Sequence, residues 1–579
     1  MKTTSMLSQL AKVKGVTLCT LLVGIVAGVV NAVQPFLLKK VLDNLQALQP
    51  FSVILLVAAI ISYTGLSALQ EYLRAKIAYT VTADVRTRLA RHLCEVPLSS
   101  FDDHPKGDLL ARFGDDSVQV GKALNDGVVG ACSAVLGFLF AFVGMLSIDV
   151  TLLISVLLCV GFGSVLSLLT SKTLEGKSLY AQEANGELMT AFDRIITALP
   201  VLKAYNAESL EGAKIVRSIL SHYARSMRLV ALQAIVKPLG GIIVQVALFV
   251  SLGIGVYRVS IGALTVGSLV AFAMYLTMMI TPASQIMNGI AAYRAGKGAI
   301  VRVDEILSIA VEDAKLVAIG QSEDDEYHDV HDAVAGNGVL SFNEVTYRYD
   351  GETEPFMLGP LSFSVESGSR TAIVGQSGSG KSTILSLVER FRSPQSGVIR
   401  FLGKKQNEYQ LAAYRNYLAY VDQGNIALGG TLRENLMLAN PDVSDSDLQT
   451  VLSAVGLQHF VSRLDVDLGD AGGRLSGGER QRISWARFLL NRYRPLLVLD
   501  EPSSSVDAVS AAHFTRMLDC LPSKSTVILV THNLHQVIGF DQIIVMQHGH
   551  MVGSGSHDEL LCGNRFYRRM AENQGMLAA

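Results

Sequence analysis

Residues Gly375 to Ser382 read Gly-Gln-Ser-Gly-Ser-Gly-Lys-Ser, a spacing that suits wrapping backbone around phosphate. Gly375, Gly378 and Gly380 let successive N–H groups turn toward one anion. A helix beginning just beyond adds partial positive charge at the same point. Lys381 is placed to reach β- and γ-phosphates, and the Ser382 hydroxyl to ligate Mg²⁺. Gln376, Ser377, Ser379 and Thr383 complete the run facing the anion. The apolar stretch Thr371-Ala-Ile-Val374 before the loop predicts a strand, and Thr383-Ile-Leu-Ser-Leu-Val388 after it predicts a helix. A chance Gly/Ser-rich turn would have neither flank.

A second set lies about 120 residues on. The continuous apolar run 496–499 predicts a buried strand, and it ends in Asp500-Glu501. An aspartate at such a tip can hold Mg²⁺, and the adjacent glutamate can orient or deprotonate a water. Between the two sets stands Leu475-Ser-Gly-Gly-Glu-Arg-Gln-Arg482, where Ser476, Gly477, Gly478 and Glu479 open a helix predicted over 479–490. Its first turn is another place for an anion.

With these three motifs in this order the chain resembles the ATP-binding cassette family, of which Leu475–Arg482 resembles the signature sequence. The resemblance implies that two such domains pair head to tail, each ATP held by the phosphate loop of one and the signature of the other. It further implies that Tyr349 stacks on adenine, that Gln423 contacts Mg²⁺ and water, that Asp507 in Ser504-Ser-Val-Asp507 communicates across the dimer, and that His532 touches the γ-phosphate. Catalysis falls to Glu501, His532, Lys381 and Gln423, with Ser382, Gln423 and Asp500 at the metal and ATP and Mg²⁺ as cofactors. Two positions depart from the family's common pattern: Asp470 replaces a frequent glutamate before the signature, and Pro502 a frequent alanine after the catalytic glutamate.

These residues need a frame. Only 17% of the 579 residues are charged, against about 25% in soluble proteins, and mean hydropathy is +0.35. The net charge of −2 gives no reason to expect nucleic acid, and six scattered cysteines without a C-x-x-C suggest neither zinc nor disulfides. The apolar residues concentrate before residue 300 in six charge-free runs: 15–38, 51–70, 127–148, 150–171, 238–257 and 259–293. Each approaches or exceeds the roughly 20 residues a spanning helix needs. Six such helices in a buried soluble core would be the alternative, and it is rejected. The first run is too long for a secretory signal and is read as a retained helix.

The connections 71–126 and 172–237 carry eight and nine Lys or Arg, whereas Asp149 alone separates the third and fourth runs. The excess of cations places both long connections, both termini and the ATPase domain in the cytoplasm, with Lys39 and Lys40 against the rule. Helical periodicity through 72–93 predicts that the membrane helices continue as long cytoplasmic extensions. Within them, 101–113 and 201–208 resemble the family's coupling segments.

The fold expected is therefore an α-helical membrane domain of six transmembrane helices (1–310), an acidic linker (311–337), and an α/β phosphate-loop ATPase domain (338–579). The chain would be an exporter-type half-transporter in a bacterial inner membrane. Its partners would be the lipid bilayer and a second half-transporter, a homodimer by preference or a heterodimer. It would move an amphiphilic or hydrophobic small molecule, lipid or peptide. Met274, Met278, Met279 and Met287, with Asn31, Gln34, Gln245, Gln285 and Asn288, are candidates to meet cargo or to pack between helices. Two rivals are an importer of metal chelates or siderophores on the same architecture, and a soluble ATPase acting on nucleic acid or the ribosome.

Overall fold

In lipid every backbone N–H and C=O must find its partner within the segment, so long apolar runs become helices. The computed structural model describes residues 13–44, 50–102, 104, 106–312, 338–349, 356–502, 514 and 516–576. Its helices begin with α1 (Lys14–Asp43), α2 (Pro50–Glu95), α3 (Lys106–Ile148), α4 (Val150–Ala204) and α5 (Glu208–Ser260). Two shorter ones follow, α6 (Val266–Met278) and α7 (Ile280–Ser308). Among the described residues five segments, with α6–α7 taken as one, are long and apolar enough to cross a membrane, and α4 adds the apolar stretch Val150–Gly163. Their outward faces stay apolar: Phe162 is 77% and Leu158 70% exposed, the surface expected against lipid.

At 1.5 Å per residue, the 46, 55 and 53 residues of α2, α4 and α5 extend roughly 70–80 Å, more than twice a ~30 Å hydrocarbon layer. The long extensions expected from the sequence are thus continuous helix. The turn between α4 and α5 falls at Tyr205–Ala207, inside the stretch likened to a coupling segment.

One run behaves differently. The sixth, 259–293, is not a single helix from its start. α5 persists to Ser260, Gly262 takes a left-handed φ of 75°, and α6 begins at Val266. The break is held by polar groups that hydropathy does not register. Thr265 Oγ1 accepts from the Ser268 N–H (3.2 Å), and Asp43 on α1 accepts from the Gly267 N–H (3.1 Å) and the Thr265 hydroxyl (3.0 Å). Asp149 works similarly between α3 and α4. It caps α4 by accepting from the N–H groups of Thr151 and Leu152 at 2.9 and 3.0 Å, and it pairs with Arg258 at 2.9 Å. Inside the bundle α3 and α6 meet closely at Gly144, where an added Cβ would lie 2.5 Å from the Tyr275 ring.

The chain divides into two units: Met1–Arg91 with Gly107–Ser308, and His92–Lys106 with Ile309–Ala579. The short segment that continues α2 therefore belongs to the second unit. The expected acidic linker lies, from residue 313, outside the described residues.

The second unit is built on two sheets among the described residues. One is antiparallel, β2 (Met357–Val365), β1 (Leu340–Arg348), β4 (Ser396–Phe401) and β5 (Lys404–Lys405) in that order. The other runs β10 (His550–Gly555), β9 (Gln542–Gln547), β3 (Arg370–Gly375), β8 (Val527–Thr531), β7 (Leu496–Asp500) and β6 (Leu418–Val421), parallel except for β10. Every residue of β7 and β8 is buried, as a parallel strand covered on both faces requires. Helix α8 (Lys381–Val388) follows β3, and α9 (Gly477–Leu490) packs Trp485 into the core, fully buried 5.7 Å from the Phe514 ring.

Candidate nucleotide site

Three neighbouring parallel strands finish at one edge: β3 at Gly375, β7 at Asp500 and β8 at Thr531. Ligands of open α/β sheets bind outside such carboxyl ends. There a cavity of about 710 Å³ is lined by Ser377, Gly378, Gly380, Lys381, Ser382 and Thr383, by Gln423, Glu501 and His532, and by Phe356. Gly380 has φ 100°, and a Cβ there would lie 2.7 Å from Leu358, so the loop can close into α8 only through glycine.

Lys381, 5% exposed, folds back over the loop: its Nζ donates to the carbonyls of Gly375 and Gln376, both at 3.0 Å. Burial pulls its pKa down, while Glu501 and Asp500 pull it up. Glu501 is the hub of the site. Its carboxylate accepts from Gln423 Nε2 at 3.2 Å and lies 3.5 Å from His532 Nδ1 and 3.9 Å from Lys381 Nζ. Its backbone is left-handed, φ 41°, a costly conformation for a glutamate held by an N–H bond to Val530 O at 2.9 Å.

Asp500 is pushed up to about 6, chiefly by burial, with Glu501 adding and Lys381 opposing. Its Oδ1 is buried without a hydrogen-bond partner among the described residues, and the Ser382 hydroxyl belongs to the lining of the cavity. Hard oxygen donors beside a phosphate loop suit Mg²⁺, so these residues fit the metal.

Other expected residues lie outside this lining. Tyr349 bonds through its hydroxyl to Thr383 Oγ1 at 3.1 Å and so abuts the site from behind a lining residue. Phe356 also lines the cavity, and the sequence reading missed it; its only signal was an apolar residue after a polar stretch of sequence. Ser379 is buried in the loop, with no hydrogen-bond partner for its hydroxyl among the described residues. Ser476 and Glu479 satisfy each other in a capping box, with Ser476 Oγ accepting from the Glu479 N–H at 3.2 Å and Glu479 Oε2 accepting from the Ser476 N–H at 2.8 Å. Gly477 is exposed, a Cβ added there would meet no other part of the chain within 4 Å, and no residue of this turn lines the cavity, so the first turn of α9 opens to the surface. Gln481 on α9 donates to the carbonyl of Pro502, fastening this helix to the residue after Glu501. Asp507 lies outside the described residues.

Residues 17–283 match the ABC transporter transmembrane region and 358–504 the ABC transporter domain. A multidrug resistance ABC transporter ATP-binding and permease protein of Lactococcus lactis subsp. lactis (strain IL1403) is 26% identical over 96% of this chain and 93% of its own length. An ATP-dependent lipid A-core flippase of Mannheimia succiniciproducens is 29% identical over 93% and 92%. A solved structure of a bacterial Atm1-family ABC exporter with ATP bound superposes with a TM-score of 0.78 at 21% identity, over 97% of this chain and 99% of that one.

Proposed function

We propose that this chain, which belongs to the ABC transporter family in both its membrane and its ATPase region, is one half of a symmetric exporter of amphiphilic molecules. It is an ATP-hydrolysing membrane transporter. Its relatives are multidrug exporters and lipid A flippases by name, which disfavours the import of metal chelates; the apolar helices disfavour a soluble ATPase acting on nucleic acid or the ribosome. The observation that carries the symmetric reading is the separation of two anion sites in one domain. The phosphate loop closes around Lys381, while the open first turn of α9 lies outside that cavity. A second copy presenting its own Ser476–Gly478 would complete the site, and a homodimer would be complete because the catalytic set is present in this chain.

In that reading the loop N–H groups and Lys381 hold the phosphates, and the ammonium leaves its carbonyl partners for the β- and γ-oxygens. Ser382 and Asp500 would hold Mg²⁺, which would supply neutralisation of the phosphate charge. Glu501 accepts a proton from the attacking water while Gln423 fixes its carboxylate, and His532 donates to the γ-phosphate. Tyr349 stacks on the base. The ATPase domain and both termini lie in the cytoplasm of a bacterial cell, a reading that rests on the cations of 71–126 and 172–237.

The test is Glu501→Gln in liposomes. ATP binding persists and hydrolysis falls at least 100-fold, while wild-type hydrolysis rises with one class of amphiphile. Normal turnover by this variant removes Glu501 from its role.

A further inference from the structure

One arginine outside the cavity joins two tyrosines to the segment 92–106 of the same unit, a contact that the mechanism above leaves unexplained. Arg392 follows the phosphate-loop helix by four residues, and its side chain is 14% exposed. Its guanidinium stacks 4.5 Å from the centroid of the Tyr349 ring. One nitrogen donates to the Tyr347 hydroxyl at 2.9 Å, and another to Asp102 Oδ2 at 2.5 Å. Tyr347 in turn meets Tyr349 edge to face, ring centroids 5.2 Å apart. The Tyr349 hydroxyl ends on Thr383 Oγ1 at 3.1 Å. All of these residues belong to the same unit, because Asp102 lies in the segment 92–106 that continues helix α2.

A tyrosine ring offers two faces. A cation on one face fixes the plane, and the polar end is pinned by Thr383, so the remaining face is held at a set orientation. Guanidinium is the group for this because it is planar and can stack while its nitrogens still donate in-plane. Lysine could supply charge but not both contacts with the same geometry.

We propose that Arg392 is a positioning residue that sets the plane of Tyr349 for the adenine base and ties that aromatic to Asp102 in the continuation of α2. The proposal rests on the reading of Tyr349 as the base-stacking residue. It adds a route by which the segment 92–106 acts on nucleotide affinity through two side chains, independent of the phosphates.

The experiment uses the full-length protein in liposomes. It measures KM and kcat for ATP and the inhibition constant of tripolyphosphate, which carries the phosphates without a base. Arg392→Met and Asp102→Asn each raise KM for ATP about fivefold. In both, kcat stays within about twofold and tripolyphosphate inhibits as in wild type. Arg392→Lys recovers part of the KM. Tyr349→Ala raises KM, and adding Arg392→Met to it changes nothing more. An equal loss of tripolyphosphate inhibition, or additive effects of the two substitutions, overturns the proposal. If Tyr349→Ala alone leaves KM at the wild-type value, the base lies elsewhere and the proposal falls with that assignment, while the Glu501→Gln result still stands or falls by itself.

Discussion

Glu389 caps the carboxyl end of the phosphate-loop helix and is 4% exposed, yet its Oε1 has no hydrogen-bond partner among the described residues. The cation that acts on it is already engaged: Arg415 donates to both oxygens of Glu312 at 2.8 and 3.1 Å and to the main-chain carbonyl of Glu389. Burial, with Asp500 and Asp422 adding and Arg415 opposing, pushes Glu389 from 4.5 up to about 9. The folded protein therefore carries this proton at pH 7 and the unfolded chain does not. A raised carboxyl gives its full stability below the unfolded value and loses it as pH climbs toward the folded one, so stability falls by about 1.4 kcal/mol per pH unit between 4.5 and 9. At pH 7, 2.5 units above 4.5, the cost is about 3 kcal/mol. Glu389→Gln has the shape of the protonated acid and needs no proton, so it stabilises the ATPase domain by up to that amount and flattens its pH dependence. The chain's single tryptophan, Trp485, is buried in that domain, so urea unfolding of the intact protein followed by its emission from pH 5.5 to 8.5 reads the effect. A wild type whose midpoint does not fall with pH, together with a glutamine variant less stable at pH 8, would refute the reasoning and put an ionised Glu389 in contact with a cation.

Two further outcomes follow from the same domain. In its proposed role Asp500 must lose its proton to hold Mg²⁺, and a carboxyl pushed up to about 6 would make protons and metal compete; below pH 6 the Mg²⁺ concentration for half-maximal hydrolysis then rises about tenfold per pH unit. Mg²⁺ titrations of ATPase rate at pH 5, 6 and 7 check this, and a requirement independent of pH counts against it. Trp485→Ala removes the largest fully buried side chain and costs about 3–5 kcal/mol of domain stability, measured as a lower urea midpoint by circular dichroism.

How much of this was legible depends on whether a feature is local. The phosphate loop, the capping box of Ser476 and Glu479, and the β7 strand ending in Asp500-Glu501 each lie within a few residues, and their chemistry is written in spacing. The spans are legible for the same reason, since hydropathy sums over neighbours. What distance along the chain conceals is pairing. Asp149 stands out as the lone charge between two apolar runs, yet nothing in its position says that it meets Arg258 at 2.9 Å. The same holds for Asp102 and Arg392, 290 positions apart. Phe356 and Glu389 were missed because burial depends on what the rest of the fold lays over a residue. The break before α6 was missed because Asp43 caps it from another helix.

The separation of the two proposed anion sites also bears on how many of them the proposed dimer must use. A ligand moves an equilibrium only by its differential affinity for the two states. ATP at 100 times its dissociation constant stabilises the state that binds it by about 2.7 kcal/mol. Two composite sites then supply about 5 kcal/mol, close to the roughly 5.5 kcal/mol that turns a population of about 1:99 into about 99:1. One site alone would leave the same equilibrium near even. A chain that carries Lys381, Asp500, Glu501 and His532 together, and leaves the first turn of α9 open, can form both sites with a copy of itself. On that arithmetic a homodimer with two working pockets would switch, whereas a dimer with one spent pocket would need a membrane domain whose two states already lie within about 1 kcal/mol.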